Sequence, residues 1–217
     1  MGLLSEKYDV LLAEHEESKK KISHLEKSIQ NANNKCVYLE KANMALEQKL
    51  HDIEQSSRKQ NIEIIGIEQL PEENPMQIIN KLGQLLEVNS ENVEWASRHQ
   101  QRKTNDKPAP IVVSFKSTNM EDRNVWLTNR LKLKNIYSDA ITGGSQKNKI
   151  YINEDLTKHT RELLWNTKNQ LKEKFKYIWI HNGKILVKKS DGDNSTWIKS
   201  EDDLRELLKK SQHVTSN

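Results

Sequence analysis

One cysteine, Cys36, stands in 217 residues, so no internal disulfide framework is available to this chain. Proline is absent before Pro71, and glycine occurs only at Gly2 before Gly66. The first sixty residues therefore contain almost nothing that breaks a helix. Aromatic residues make up 6% of the sequence, which suits small domains with little deep core. No apolar run approaches the roughly 20 residues that span a bilayer, and the N-terminus has no signal-peptide pattern. Neither membrane insertion nor secretion is expected. Chemistry-bearing motifs are missing too. There is no glycine-rich phosphate loop, and the seven histidines show no HExxH or other metal spacing. No Ser-His-Asp or Cys-His arrangement has supporting context. The expectation is a non-enzyme that needs no cofactor and no metal.

What is present begins with a heptad pattern. Leu4, Leu11, Ser18, Leu25, Ala32, Leu39, Leu46 and Ile53 recur every seven residues. Tyr8, His15, Ile22, Ile29, Cys36, Asn43 and Leu50 form the companion row. A seam of this kind predicts a coiled coil over residues 1–58, a rod of roughly 80 Å. A narrow seam on a long rod needs a second copy to bury it. Leu11, Ile22, Leu25, Ile29, Leu39, Asn43, Leu46 and Leu50 are the expected oligomer contacts. Across a parallel pair, Glu14 meets Lys19, Lys21 meets Glu26, Lys35 meets Glu40 and Lys49 meets Glu54. All four pairs are complementary. Each contributes only a few tenths of a kcal/mol, enough to set orientation. Isoleucine in the companion row, leucine in the other, and a polar Asn43 between them favour a parallel homodimer. A trimer is the alternative.

Charge is unevenly spread. Residues 1–58 carry nine Lys/Arg and ten Asp/Glu, and residues 59–145 carry eleven of each. Residues 146–217 carry fifteen against ten. The net +4 therefore comes from the C-terminal third, and a polyanion is the partner to consider.

Beyond the rod the pattern reads as an α+β chain. A strand over Asn61–Ile67 precedes a helix whose stripe is Ile78, Ile79, Leu82, Leu85 and Leu86. Strands follow at Val93 and at Pro110–Phe115. A helix over 119–133 should bury Met120, Val125, Trp126 and Leu131. Thr142–Ser145 reads as a flexible segment before a strand at Lys149–Ile152. Strand, helix, strand, strand, helix, strand is the split βαβ order of RNA-recognition motifs: a four-stranded antiparallel sheet with helices on one face and the other face open to a ligand. That unit spans 59–153. A smaller unit spans 154–210. It opens with a helix over 157–175 that turns Leu163, Leu164, Leu171 and Phe175 inward. Two strands around Asn182-Gly183, a tight-hairpin signature, follow. A short strand at Thr196–Ile198 and a final helix capped by Ser200 complete it. Residues 211–217 read as a disordered tail.

The stretches Asn61–Ile67, Pro110–Phe115, Ile150–Leu156 and Tyr177–Lys184, in this order behind a coiled coil, resemble the first-open-reading-frame proteins of LINE-type retrotransposons. They resemble most closely the baculovirus few-polyhedra proteins. The resemblance implies a homo-oligomer that binds single-stranded RNA or DNA. Its viral branch implies a late accessory protein of host cytoplasm or nucleus and of the virion, which affects polyhedra formation and virion occlusion. Viral nucleocapsid or envelope proteins are further implied partners, and a purely structural scaffold is the alternative role.

Candidate nucleic-acid contacts fall in three groups. Arg98, Arg102 and Lys103 cluster at the end of the second strand, a place where the LINE proteins carry RNA-contacting arginines. Arg161 lies on the helix over 157–175, as an arginine does in those relatives, and Lys158, Lys168 and Lys172 could share its surface. Lys184, Lys188 and Lys189 lie on or beside the Asn-Gly hairpin. Tyr177, Trp179 and His181 alternate along one strand and serve either as core or as a stacking platform. The first strand has no aromatic residue and the third only Phe115. Binding is therefore expected in a basic cleft between the two units, mostly through phosphates.

Overall fold

The computed structural model describes residues 2–99, 107–116 and 120–213. The chain divides into two units, Met1–Leu50 and His51–Asn217. One long helix, α1 (Gly2–Ser57), supplies all of the first unit's secondary structure and the opening turns of the second. In the single chain its apolar seam is exposed: Leu11, Ile22, Leu25, Ile29, Leu39, Leu46 and Leu50 all face solvent. Asn43 turns its amide to Glu47 one turn along, at 2.8 Å. Cys36 is exposed.

The second unit holds two small antiparallel sheets, each with its own core. The first is built from β1 (Asn61–Ile65), β2 (Val93–Arg98), β3 (Ile111–Phe115) and β4 (Tyr151–Glu154), in the order β2-β3-β1-β4. Helices α2 (Pro75–Leu86) and α3 (Met120–Asn129) connect the strands. Local chemistry starts and stops α2. Asn74 accepts from the Met76 backbone N–H at 3.0 Å, Pro75 has no N–H to leave unmatched, and Glu87 closes the helix in the left-handed region. Ile62 and Ile64 of β1 meet Ile79, Leu82 and Leu86 of α2 and Trp126 of α3 in one buried cluster. The Trp126 indole N–H donates to the Asn89 carbonyl at 3.1 Å.

Three expectations are corrected here. The helix expected over 119–133 ends at Asn129 and continues as a tighter turn over Arg130–Asn135. Trp126 holds the inward phase of α3, which leaves its neighbour Val125 exposed. The change of winding rotates Leu131 outward and Leu133 inward. The Met120 side chain lies outside the described residues. Thr142–Ser145 is ordered: a short helix, α4 (Ser138–Thr142), precedes it. Gly144 N–H then donates to the Thr142 hydroxyl at 3.1 Å and Gln146 N–H to the Glu68 carboxylate at 3.1 Å. Residues 211–213, expected in the tail, belong to the last helix; residues 214–217 lie outside the described residues.

The second sheet comprises β5 (Tyr177–His181), β6 (Lys184–Lys188) and β7 (Thr196–Ile198), in that order. One face packs on α5 (Lys158–Leu171) and α6 (Glu201–His213) through Leu163, Leu171, Phe175, Ile185, Val187, Ile198 and Leu204. Thr157 caps α5 by accepting from Thr160 N–H at 3.2 Å. Asn182 and Gly183 take φ of 52° and 74°, the backbone a two-residue turn between twisted strands requires.

A polar lattice joins the two sheets. Gln55, near the end of α1, donates to the Asp155 carbonyl and accepts from Thr157 N–H, both at 3.0 Å. Arg58 pairs with Asp155 at 3.0 Å and Arg161 with Glu63 at 2.9 Å. Glu154 accepts from the backbone N–H groups of Asn182 and Gly183 at 2.9 and 2.7 Å, and pairs with Arg123 at 3.0 Å. The helix-free face of the first sheet is consequently not open at its centre. Glu63, Val112 and Ser114 on that face are all buried, and Arg161 from α5 and Arg58 just beyond α1 reach across to Glu63 and Asp155 there.

Candidate nucleic-acid interface

The expected cations arrive in different surroundings. Arg98 faces the helix side of its sheet with a side chain only 5% exposed. It makes a forked pair with the Glu73 carboxylate and donates to the carbonyls of Ile67, Glu68 and Ala109. All five guanidinium N–H groups are engaged inside the protein, so none is left for a phosphate. Arg102 and Lys103 lie outside the described residues. The junction where a basic cleft was expected is neutral instead: Arg58 and Arg161 are each answered there by Asp155 or Glu63. A cavity of about 380 Å³ beside it is lined by Trp95, Ser97, His99 and Val112 together with Arg58 and Asp155.

Along α5, steps of three and four residues place Lys158, Arg161, Trp165, Lys168 and Lys172 in one stripe. Trp165, in the middle, is 67% exposed. Arg161 keeps part of its guanidinium toward solvent while donating to Glu63 and to the Leu156 carbonyl. Lys158 lies 3.7 Å from Glu162. The cations of this stripe were expected to share a surface; the tryptophan between them was overlooked. Its signal was present, a lone indole at helical spacing among charged residues.

The second sheet carries the more developed surface. Its strands alternate, so Ile178, Ile180, Ile185, Val187 and Ile198 turn inward and the residues between them turn out. In register, Trp179 stands opposite Leu186, and Leu186 opposite Trp197. Tyr177 stands opposite Lys188, and His181 opposite Lys184. Tyr177, Trp179 and Trp197 are 39%, 36% and 37% exposed. This face is a surface and not a core, which excludes the first of the two readings the strand allowed. The ammonium groups of Lys184 and Lys199 lie 4.3 and 4.4 Å from the centre of the Trp197 ring. One indole thus holds two cations that would otherwise repel. Tyr177 donates to Asp191 at 2.6 Å. Lys176 pairs with the same carboxylate, which holds Asp191 below and Lys176 above their ordinary pKa values. Trp197 and Lys199 were not among the expected residues. Only the pairing of β7 with β6 brings Trp197 into one row with Trp179, across Leu186.

Such a face has two chemical capabilities. Trp179 with Leu186 presents a flat apolar surface to a planar ring, and Lys184 with Lys199 presents paired positive charge to a phosphate. Among the described residues no group of three or more His, Cys, Asp or Glu side chains is placed to hold a metal ion.

Residues 59–152 match the model of baculovirus FP protein domain 1, and residues 157–208 match that of baculovirus FP protein domain 2. The chain belongs to the baculovirus FP protein family. The two matches meet at the polar lattice: FP domain 1 ends within β4, and FP domain 2 begins at the Thr157 cap. Both tryptophans of the outward face, the Lys184–Lys199 pair and the α5 stripe from Lys158 onward belong to FP domain 2. No curated protein matches the chain. It is a viral protein of the few-polyhedra type, and among its described residues no helix is long and apolar enough to cross a membrane.

Proposed function

We propose that this protein binds single-stranded nucleic acid as a homo-oligomer, and that the outward face of the second sheet makes the principal contact. The observation that carries this reading is the row Trp179–Leu186–Trp197 with Lys184 and Lys199 gathered on Trp197. A base can lie on an exposed indole only when it is unpaired, so the ligand is single-stranded. The ammonium pair reads the phosphate and not the sequence. The heptad seam of α1 supplies the oligomer as a parallel coiled-coil dimer, with a trimer as the alternative. Several modest sites then act on one strand, and the effective concentration of the second site raises the affinity of the whole. The strand order β2-β3-β1-β4 with two connecting helices supports an RNA-recognition-like description of FP domain 1 and a distant kinship with the LINE proteins. In the infected cell the protein acts as a late accessory component whose nucleic-acid binding bears on polyhedra formation and virion occlusion.

The test uses the full chain and a fluorescent single-stranded oligonucleotide of about 20 nucleotides. Affinity should fall steeply between 50 and 200 mM salt. Trp179→Ala should weaken binding about tenfold, in line with the ~1–3 kcal/mol lost per stacked base. Lys184→Ala with Lys199→Ala should flatten the salt dependence by up to two ions. Leu25→Glu with Ile29→Glu should yield a single polypeptide by sedimentation and weaker binding with an unchanged salt slope per chain. Full affinity in the Trp179 and lysine variants would overturn the reading.

A further inference from the structure

The first sheet ends on β4, whose outer edge faces a groove of about 330 Å³. The far wall is the tight turn Arg130–Asn135. This turn runs beside the strand without joining its hydrogen-bond ladder. Just before β4, Tyr137 makes a single antiparallel bridge with Lys149, and Ser138 N–H donates to the Asn148 carbonyl at 3.0 Å. Pairing on this edge therefore starts and then stops, because the chain flanking Tyr137 is helical on both sides. An edge that accepts one antiparallel partner can accept the continuation of one.

The groove's walls have two characters. Leu131 is 81% exposed, and Tyr151 shows more than half its surface. A leucine held so far into solvent offers nothing to a phosphate, but it can accept an apolar side chain. Arg130, Lys134 and Lys149 stand around it, and no carboxylate among the described residues pairs with any of the three. Lys132, between two of them, points away to Glu87 and the Leu86 carbonyl. The combination is a bare strand edge, apolar contacts spaced along it and unanswered positive charge.

We propose that this groove docks an extended segment of another protein, in which acidic and branched apolar residues come two by two so that each face of the strand carries both, as an added antiparallel strand on β4. Backbone pairing along the edge supplies the register. Leu131 and Tyr151 take the apolar side chains, and Arg130, Lys134 and Lys149 take the carboxylates. The site is independent of the nucleic-acid face, since it lies in FP domain 1 and shares no residue with β5, β6 or β7.

The probe is a fluorescein-labelled octapeptide repeating Glu-Glu-Val-Val, titrated into the full-length protein and read by anisotropy. Saturable binding is expected. It should weaken at least tenfold with the same peptide methylated at alternate backbone nitrogens, which removes ladder donors without touching the protein. Lys134→Glu with Lys149→Glu should cost a similar factor, and Trp179→Ala, which weakens oligonucleotide binding, should leave peptide affinity unchanged. No saturable binding, or equal binding of the methylated peptide, overturns the proposal. Displacement of the peptide by a thymidine oligonucleotide in the Trp179→Ala protein would also overturn it, by making the groove a second nucleic-acid contact.

Discussion

The buried pair between Arg123 and Glu154 is the most exacting test of how the two FP domains hold together. Their side chains are 2% and 9% exposed. Glu154 sits at the end of β4, and its two oxygens serve three donors: the Asn182 and Gly183 N–H groups and the Arg123 guanidinium. Replacing Glu154 with Gln removes the charge and turns an –NH2 toward groups that are themselves donors. One buried donor loses its partner, at about 1–3 kcal/mol, and the Arg123 cation is left inside without an anion. Removing one member of a buried pair costs about 3–5 kcal/mol, so Glu154→Gln should destabilise the second unit by about 4 kcal/mol. Arg123→Met with Glu154→Leu should recover much of that loss, because it removes both charges together. Urea unfolding followed by tryptophan fluorescence and by far-ultraviolet circular dichroism measures both effects. The two probes should coincide in the parent protein and separate in Glu154→Gln, as the two cores begin to melt independently. A loss below 1 kcal/mol with coincident transitions would show that water reaches this pair, and the account of the junction would fail.

Acid should weaken the same region by another route. His51 and His159 stack face to face, 3.8 Å apart and nearly parallel, and burial, then the neighbouring His51, lowers the pKa of His159 below its ordinary 6.5. The folded state therefore prefers the neutral ring. This contribution is complete above about pH 6.5 and is lost as pH falls below it, when the unfolded chain takes up the proton first. Glu54, Glu162 and Glu201 oppose the effect without reversing it. Melting temperature should drop between pH 7.5 and pH 5.5. His159→Phe, which keeps the stacking and cannot titrate, should reduce that drop, and an unchanged pH profile would refute the argument. Gly183→Ala should cost about 1–2 kcal/mol in thermal unfolding, since its φ is 74° and a methyl group would approach the Gln55 side chain to 2.8 Å.

The periodic parts of this molecule were legible in the residues alone. A heptad repeat of apolar residues through a sixty-residue run without proline specifies a long helix. Alternating Ile and Val around Asn182-Gly183 specifies a hairpin, because both patterns state a local backbone preference that can be read before the contacts that stabilise it are known. The order of elements in FP domain 1 followed from the same signals, and so did the inward stripe of α2 at Ile78, Ile79, Leu82 and Leu86; Leu85, expected on that stripe, is exposed, because it falls outside the arc its neighbours bury. What depended on distant partners could not be read this way. Whether Tyr177 and Trp179 face solvent turns on which side of their sheet α5 and α6 choose. Nothing within β5 states that choice, since both of its faces are apolar.

Arg98 shows the same limit from the other side. As a letter it is a cation at the end of a strand, but its charge is consumed by Glu73, twenty-five residues away, and by three carbonyls that only the folded chain assembles. Arg161 meets Glu63 across ninety-eight residues, and that contact closes a sheet face the topology alone would leave open. Sequence thus determined the elements and their order, because helix and strand preferences act over a few residues. Tertiary structure decided which charges remain available to a ligand, because a charge is neutralised by whatever the fold brings within a few ångströms of it, however far away it lies in the chain.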